Sequence, residues 1–214
     1  MDVTAPGRRE ENKQRTRSAL EEAAARLFET QGFEATTVRD IAAAAGVGER
    51  TFFRYFPSKE DLVLQQARDL IPGLLRMVRE RPIEEPPLTA LREAILDWLT
   101  ETGSAPTILV TGPPKSSHSH DEHQEAYALK RDLEVAITDA FVDRLAAAGA
   151  DPKAPPTLLR AAVQAGAGVS VIRAMMIAYP ADGATECATE RGMGPRSVTE
   201  LTEIVREAFA ALDS

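Results

Sequence analysis

The chain has 214 residues and a mass of 23.2 kDa, room for one large domain or two small ones. At 43% hydrophobic and 27% charged residues it is too apolar to be wholly disordered. The net charge of −8 argues at first against a nucleic-acid partner, until its distribution is considered.

No apolar run approaches the roughly 20 residues of a membrane helix. The longest candidate, 169–179, is interrupted by Arg173. The polar start MDVTAPGRREENKQ argues against a secretory signal, and the single Cys187 leaves no internal disulfide or cysteine-rich zinc site. These features imply a cytoplasmic protein of bacterial style with no membrane partner.

Charge is uneven along the chain. Residues 1–60 are net neutral, with 10 basic and 10 acidic side chains, so the whole deficit lies in residues 61–214. Within the first part, Arg8, Arg9, Lys13, Arg15 and Arg17 face only Glu10 and Glu11. An acidic body behind a basic edge would orient the molecule on a polyanion. An ordinary solvated helix start would carry the same mixture.

In chain order the text is helical almost throughout. Leu20, Ala24, Leu27 and Phe28 recur at helical spacing and predict a first helix over 11–31, closed by Gly32. Thr37 stands as an N-cap with Asp40 three residues on, an aspartate version of the capping box. A short second helix follows, with Val38, Ile41, Ala42 and Ala45 on its apolar side. Gly46, Val47 and Gly48 make a tight turn, which needs positive φ at Gly46. A third short helix over 49–56 ends before Pro57. Ser58 caps a fourth helix, whose stripe runs through Leu62, Val63, Ala67, Leu70, Leu74 and Val78. Pro72 and Gly73 are expected to kink or split it.

Residues 81–87 carry three prolines and form a connector. A helix is expected over 88–101, then a loop over 102–120, rich in serine, proline and glycine. Long helices are expected over 121–148 and 157–179, separated by a turn. A second loop over 180–195 and a last helix over 197–212 complete an all-α chain with no internal repeat.

Three short helices around a glycine turn form a helix-turn-helix pattern. Val47, Phe52 and Phe56 fall on the inward side of the third helix, facing Ile41 and Phe28. Glu49, Arg50, Phe53 and Arg54 fall on the outward side. A recognition helix needs that division, because donors must meet the major groove while the other face packs.

The run TTVRDIAAAAGVGERTFFRYFPSKEDLV, residues 36–63, resembles the DNA-binding domain of the TetR family of bacterial transcriptional repressors. The resemblance covers about residues 12–67. It rests on Gly32-Phe33, Thr37-Val38, Ile41-Ala42, Ala45-Gly46-Val47, Thr51, Phe53, Tyr55-Phe56 and Ser58-Lys59-Glu60. It implies an all-α homodimer that binds an inverted-repeat operator in double-stranded DNA. The implied layout is a flexible arm over 1–10, a helix-turn-helix domain over 11–71 and a ligand-binding and dimerisation domain over 72–214.

The resemblance also carries roles over to single positions. Thr37 would contact phosphate at the start of the second helix, and Arg39 would reach the groove or the backbone. Glu49, Arg50 and Thr51 would meet bases or nearby phosphates, and Tyr55 and Lys59 would hold phosphates. Arg50 suits guanine, because its fork matches O6 and N7. Phe53 replaces a common tyrosine and lacks its hydroxyl. Gly48 stands where relatives often have serine, so a cap and a phosphate hydroxyl are missing. Arg54 reads as a further contact or as a solvated surface residue.

In the acidic body, Met77, Trp98, Phe141, Ile172, Met175 and Met176 are candidate walls of a ligand pocket. Arg131, Gln164 and Arg173 are candidate polar anchors. All of these also read as plain core or dimer seam. The stretch ERPIEEPPLTALREAI is similar to a TetR subgroup whose ligands are acyl-CoA-like. Residues 102–120 depart from that subgroup. The small residues Ala161, Ala162, Ala165, Gly166, Ala167 and Gly168 would let helices approach closely, either between two copies in a four-helix bundle or within one subunit.

All three histidines, His118, His120 and His123, lie within six residues, beside Asp121 and Glu122. Their spacings do not include the i, i+4 step of a helical metal pair, so no metal site is assigned. A metal- or pH-responsive regulator is the alternative they raise. An enzyme is disfavoured. Cys187 and Ser197 have no neighbouring histidine or glycine elbow, and no phosphate loop or dinucleotide fingerprint appears. No cofactor is expected beyond a small-molecule inducer.

Overall fold

A computed structural model describes residues 7–102, 120–178 and 198–212. Within them the chain forms eight helices and no strand. These are α1 (Arg8–Gln31), α2 (Val38–Ala44), α3 (Glu49–Tyr55), α4 (Lys59–Glu80), α5 (Pro87–Thr102), α6 (His120–Ala147), α7 (Pro155–Ala178) and α8 (Val198–Ala210). Each expected helix is present within a few residues of its expected ends. The expected loops over 102–120 and 180–195 lie outside the described residues, apart from Thr102 ending α5 and His120 opening α6.

Local chemistry explains the ends. Gly32 closes α1 at φ 84°, donating its N–H to the Phe28 carbonyl. Thr37 Oγ1 accepts from the Asp40 N–H while Asp40 Oδ2 accepts from the Thr37 N–H, the full reciprocal capping box. At the end of α2, Gly46 has φ 70°. Its N–H donates to the Ala43 carbonyl and that of Val47 to the Ala42 carbonyl, the paired bonds of a Schellman turn. The same bonds recur at Gly149 after α6. Ser58 Oγ accepts from the Asp61 N–H at the start of α4.

Two of the sequence expectations shift. The first helix opens at Arg8, so residues 8–10 belong to α1 and not to an arm. Pro72 and Gly73 do not split α4, whose 22 residues run unbroken through them. Pro72 is exposed, and the helix is held from both ends by two separate cores.

The first core joins Leu20, Ala24 and Phe28 of α1, Ile41 of α2, Phe52 of α3 and Leu62 and Val63 of α4, with Phe33 and Phe56 closing it. The second core takes Leu75 and Val78 from α4, Leu91, Ile95 and Leu99 from α5, Ile137 and Phe141 from α6, Ala161 and Ala165 from α7 and Val205 from α8. α6 and α7 pack along each other, α4 lies on α6, and α8 covers α5 and α7. α4 is therefore the element common to both cores. Among the described residues no helix is long and apolar enough to cross a membrane.

Candidate nucleic-acid interface

The interface is built from α2, α3 and the first turn of α4. Phe52 is fully buried and meets Phe56 at 5.7 Å between ring centroids, which anchors α3 by its inward side. With that side fixed, the 3.6-residue period turns Glu49, Arg50, Phe53 and Arg54 to solvent, and all four are exposed. Phe53 is 53% exposed although it is an aromatic side chain, edge-on to Phe52 at 5.6 Å. Arg54 lies 5.1 Å over the ring of the half-buried Tyr55, which holds its guanidinium near the surface. Thr51 is half-buried beside them.

Thr37 and Arg39 are exposed at the start of α2. The Thr37 hydroxyl donates to Asp40 Oδ2 at 2.6 Å. These bonds from the Thr37 hydroxyl and N–H hold the Asp40 carboxyl below its ordinary value. A permanent carboxylate there suits the positive end of the helix, and it also sits beside any phosphate that Thr37 would meet.

Gly48 is the N-cap of α3 and offers no side-chain acceptor. Its φ of −86° and ψ of 156° suit any residue, and a Cβ there would meet nothing within 4 Å. The missing serine is thus not demanded by the fold.

Lys59 is placed differently from the expectation that it faces a phosphate. Its Nζ donates to the Phe33 carbonyl at 2.8 Å and the Thr36 carbonyl at 3.1 Å, and sits 4.3 Å over the Phe33 ring. Two of its three donors are therefore used inside the domain, tying α4 to the turn that delivers Thr37. Arg17 is also consumed internally. It bonds Glu21 at 2.8 Å and Asp69 at 2.6 Å, which removes one cation from the basic edge. Its guanidinium is held above its ordinary value, first by the hydrogen bond to Glu21.

The candidate ligand residues do not converge. Phe141 and Met175 are buried core. Met77, Trp98 and Ile172 are half-buried at its margin. Arg131 and Arg173 point to solvent, and Arg131 lines an open groove on α6 with Glu134, Val135, Thr138 and Asp139. Those two arginines do not anchor a ligand in the core as placed. Gln164 carries a buried Oε1 with no hydrogen-bond partner among the described residues. Met176 and His123 belong to α7 and α6 and His120 opens α6, but their side chains, like all of His118 and Cys187, lie outside what is described.

The small residues of α7 resolve into two sets, of which Ala162 is exposed and Gly166 and Ala167 are half-buried, while the other three are buried. Ala161, Ala165 and Gly168 are buried within the subunit, and a Cβ on Gly168 would stand 2.6 Å from Leu91 Cδ2 of α5. Close approach is thus used internally. The outward side of α7 shows Leu158, Leu159 and Val163, the last two 66% and 63% exposed.

One buried feature had no signal in the sequence. Arg144 of α6 is 4% exposed and donates to four main-chain carbonyls at the end of α4 and in the connector after it. Burial holds its guanidinium below its ordinary value. An arginine in the last turn of an amphipathic helix reads as a surface residue until the neighbouring carbonyls are known.

Residues 20–65 match the family model described as bacterial regulatory proteins, tetR family. The chain is 43% identical over 89 residues to the HTH-type transcriptional regulator TcmR of Streptomyces glaucescens, covering 42% of this chain and 39% of that protein. It is 31% identical over 145 residues to the HTH-type transcriptional regulator EthR of Mycolicibacterium smegmatis, covering 66% and 65%. The matched stretches thus span less than two thirds of the length of these relatives. In fold, it superposes on Thermus thermophilus FadR, a TetR-family repressor in complex with lauroyl-CoA, with a TM-score of 0.57 and 22% identity over 92% of both chains.

Proposed function

The chain belongs to the TetR family of bacterial regulatory proteins, and from that premise we propose that it is a DNA-binding transcriptional repressor. The observation that carries this reading is the division of α3. Phe52 is fully buried, while Arg50, Phe53 and Arg54 stand exposed on a short helix fixed by a capped turn. Arg50 reads guanine, Phe53 meets a thymine methyl, and Arg39, Thr37, Thr51 and Tyr55 position the head on the backbone. Glu49 accepts from a cytosine amine or excludes phosphate.

The regulator works as a homodimer on an inverted repeat, with one head per half-site. Leu158, Leu159 and Val163 of α7 are the apolar residues a second copy covers. The inducer is a small amphipathic molecule of the acyl-CoA kind that binds in the body, where Met77, Trp98 and Ile172 are the apolar candidates left half-buried. The buried Oε1 of Gln164 on α7, which has no partner among the described residues, supports a donor-bearing ligand. The lauroyl-CoA complex of the similarly folded FadR supports its class.

The test is fluorescence anisotropy with DNA from upstream of the chain's own gene, across a salt series. Tight, sequence-selective binding that falls steeply with salt is expected. Equal affinity for unrelated DNA would overturn the reading. Release of the bound DNA by lauroyl-CoA, and not by coenzyme A alone, tests the ligand class.

A further inference from the structure

We propose that Arg144 is a positioning residue for DNA reading, fixing the body end of α4 and so the orientation in which the head is held. The inference rests on the operator-binding reading and adds to it the part that sets head placement. α4 belongs to both cores, so any rotation of its body end moves the head. With 22 residues it is about 33 Å long, and a tilt of about 5° displaces its far end by about 3 Å. Pro72 and Gly73 inside it make no break, so displacement at one end is carried to the other.

Arg144 holds the body end by geometry that few side chains share. Nη1 donates to the Val78 carbonyl at 3.0 Å and the Arg81 carbonyl at 2.9 Å. Nη2 donates to the Pro82 carbonyl at 2.6 Å and the Glu85 carbonyl at 2.9 Å. Val78 and Arg81 are in the last turn and at the C-cap of α4, where helical carbonyls lack partners within the helix. A cation there also opposes the negative end of the helix dipole.

Two further ties converge on the same point. Arg79 of α4 bonds Asp143 of α6 at 2.8 Å. Arg81 bonds Glu85 and reaches Asp97 of α5, both at 2.6 Å. These three pairs are partly exposed, whereas Arg144 is buried and its four acceptors are main chain. The position of α6 is thereby written directly into the backbone at the end of α4. Lysine cannot reproduce this, because one ammonium nitrogen does not span both pairs of carbonyls.

The experiment is a within-chain distance measurement by pulsed electron paramagnetic resonance. Spin labels are placed at Glu34→Cys, in the exposed turn after α1, and at Glu203→Cys, exposed on α8, in a Cys187→Ser background. Labelled chains are diluted with unlabelled protein, so the within-chain distance is read in a monomer or a dimer. Arg144→Lys is compared with Ile137→Ala, a fully buried truncation on the same helix that lowers the melting temperature without touching α4's carbonyls. For Arg144→Lys the distance distribution broadens about twofold, and DNA affinity falls about tenfold as the competent orientation drops to about one tenth of the population. Ile137→Ala leaves the width unchanged. An unchanged width in Arg144→Lys, or equal broadening in both variants, would overturn the proposal. If the wild-type chain bound no DNA, the repressor reading would fail while the distance comparison still judged the clamp.

Discussion

Replacing Gly168 by alanine is expected to destabilise the body, although alanine is the better helix former. The magnitude follows from the contact. A Cβ at Gly168 would lie 2.6 Å from Leu91 Cδ2 and 3.6 Å from Leu88 Cδ2. Carbon atoms rest about 3.5–4.0 Å apart, so the first contact is short by about 1 Å. Leu91 is fully buried and cannot retreat without moving the rest of the second core. Overpacking of this kind costs about 1–3 kcal/mol. The propensity gain of alanine over glycine returns about 0.8–1 kcal/mol. The net loss is about 1 kcal/mol, or about 2–4 °C in melting temperature for a chain of this size.

Gly73 supplies the control. It also lies inside a helix, but a Cβ there meets nothing within 4 Å. Gly73→Ala therefore keeps the full propensity gain of about 0.8–1 kcal/mol and melts about 2–4 °C higher. Calorimetry at one fixed protein concentration compares the two, because assembly makes melting concentration-dependent. If Gly168→Ala stabilised as much as Gly73→Ala, the close approach of α5 and α7 would be refuted. Gly73→Ala also bears on α4 as a lever. Unchanged DNA affinity is expected of a helix that runs unbroken there, and a large loss would show that α4 bends at Pro72 and Gly73.

Three further outcomes are expected. Arg50→Ala should leave the melt unchanged and relax preference at one base pair by about 1–3 kcal/mol, read by anisotropy on a panel of single-base variants; an unchanged profile refutes guanine readout. Lys59→Met should lower stability by about 1–3 kcal/mol, because two carbonyls lose their donor, while the salt dependence of DNA binding keeps its slope. A slope reduced by about 1 would instead place its remaining donor on a phosphate. Glu85 is held below its ordinary value, first by its hydrogen bond to Arg81. A depressed carboxylate contributes fully above its unfolded value and loses that contribution as pH falls through the folded one. Stability should therefore fall below about pH 4, and Glu85→Gln should flatten that fall in urea titrations; an equally steep fall would show that the pair is screened.

The sequence by itself determined the helices, their caps and the division of α3 into a buried and an exposed side. These depend on neighbours a few residues apart: the Thr37–Asp40 box, Gly46 at positive φ, Ser58 before Asp61 and the 3.6-residue alternation around Phe52. Each interaction closes within one turn, so spacing alone reveals it. Only the tertiary structure decided what long side chains and small residues do across helices. Lys59 carries the charge of a phosphate contact, yet its reach of 26 residues back to Phe33 turns it inward. Arg144 meets carbonyls 59 to 66 residues away, and main-chain acceptors leave no trace in residue type. Gly168 opens space for Leu91 of the same subunit, where its composition fitted a dimer seam equally well. Pro72 breaks helices in isolation, but two cores hold α4 from either side, and packing outweighs one missing backbone donor.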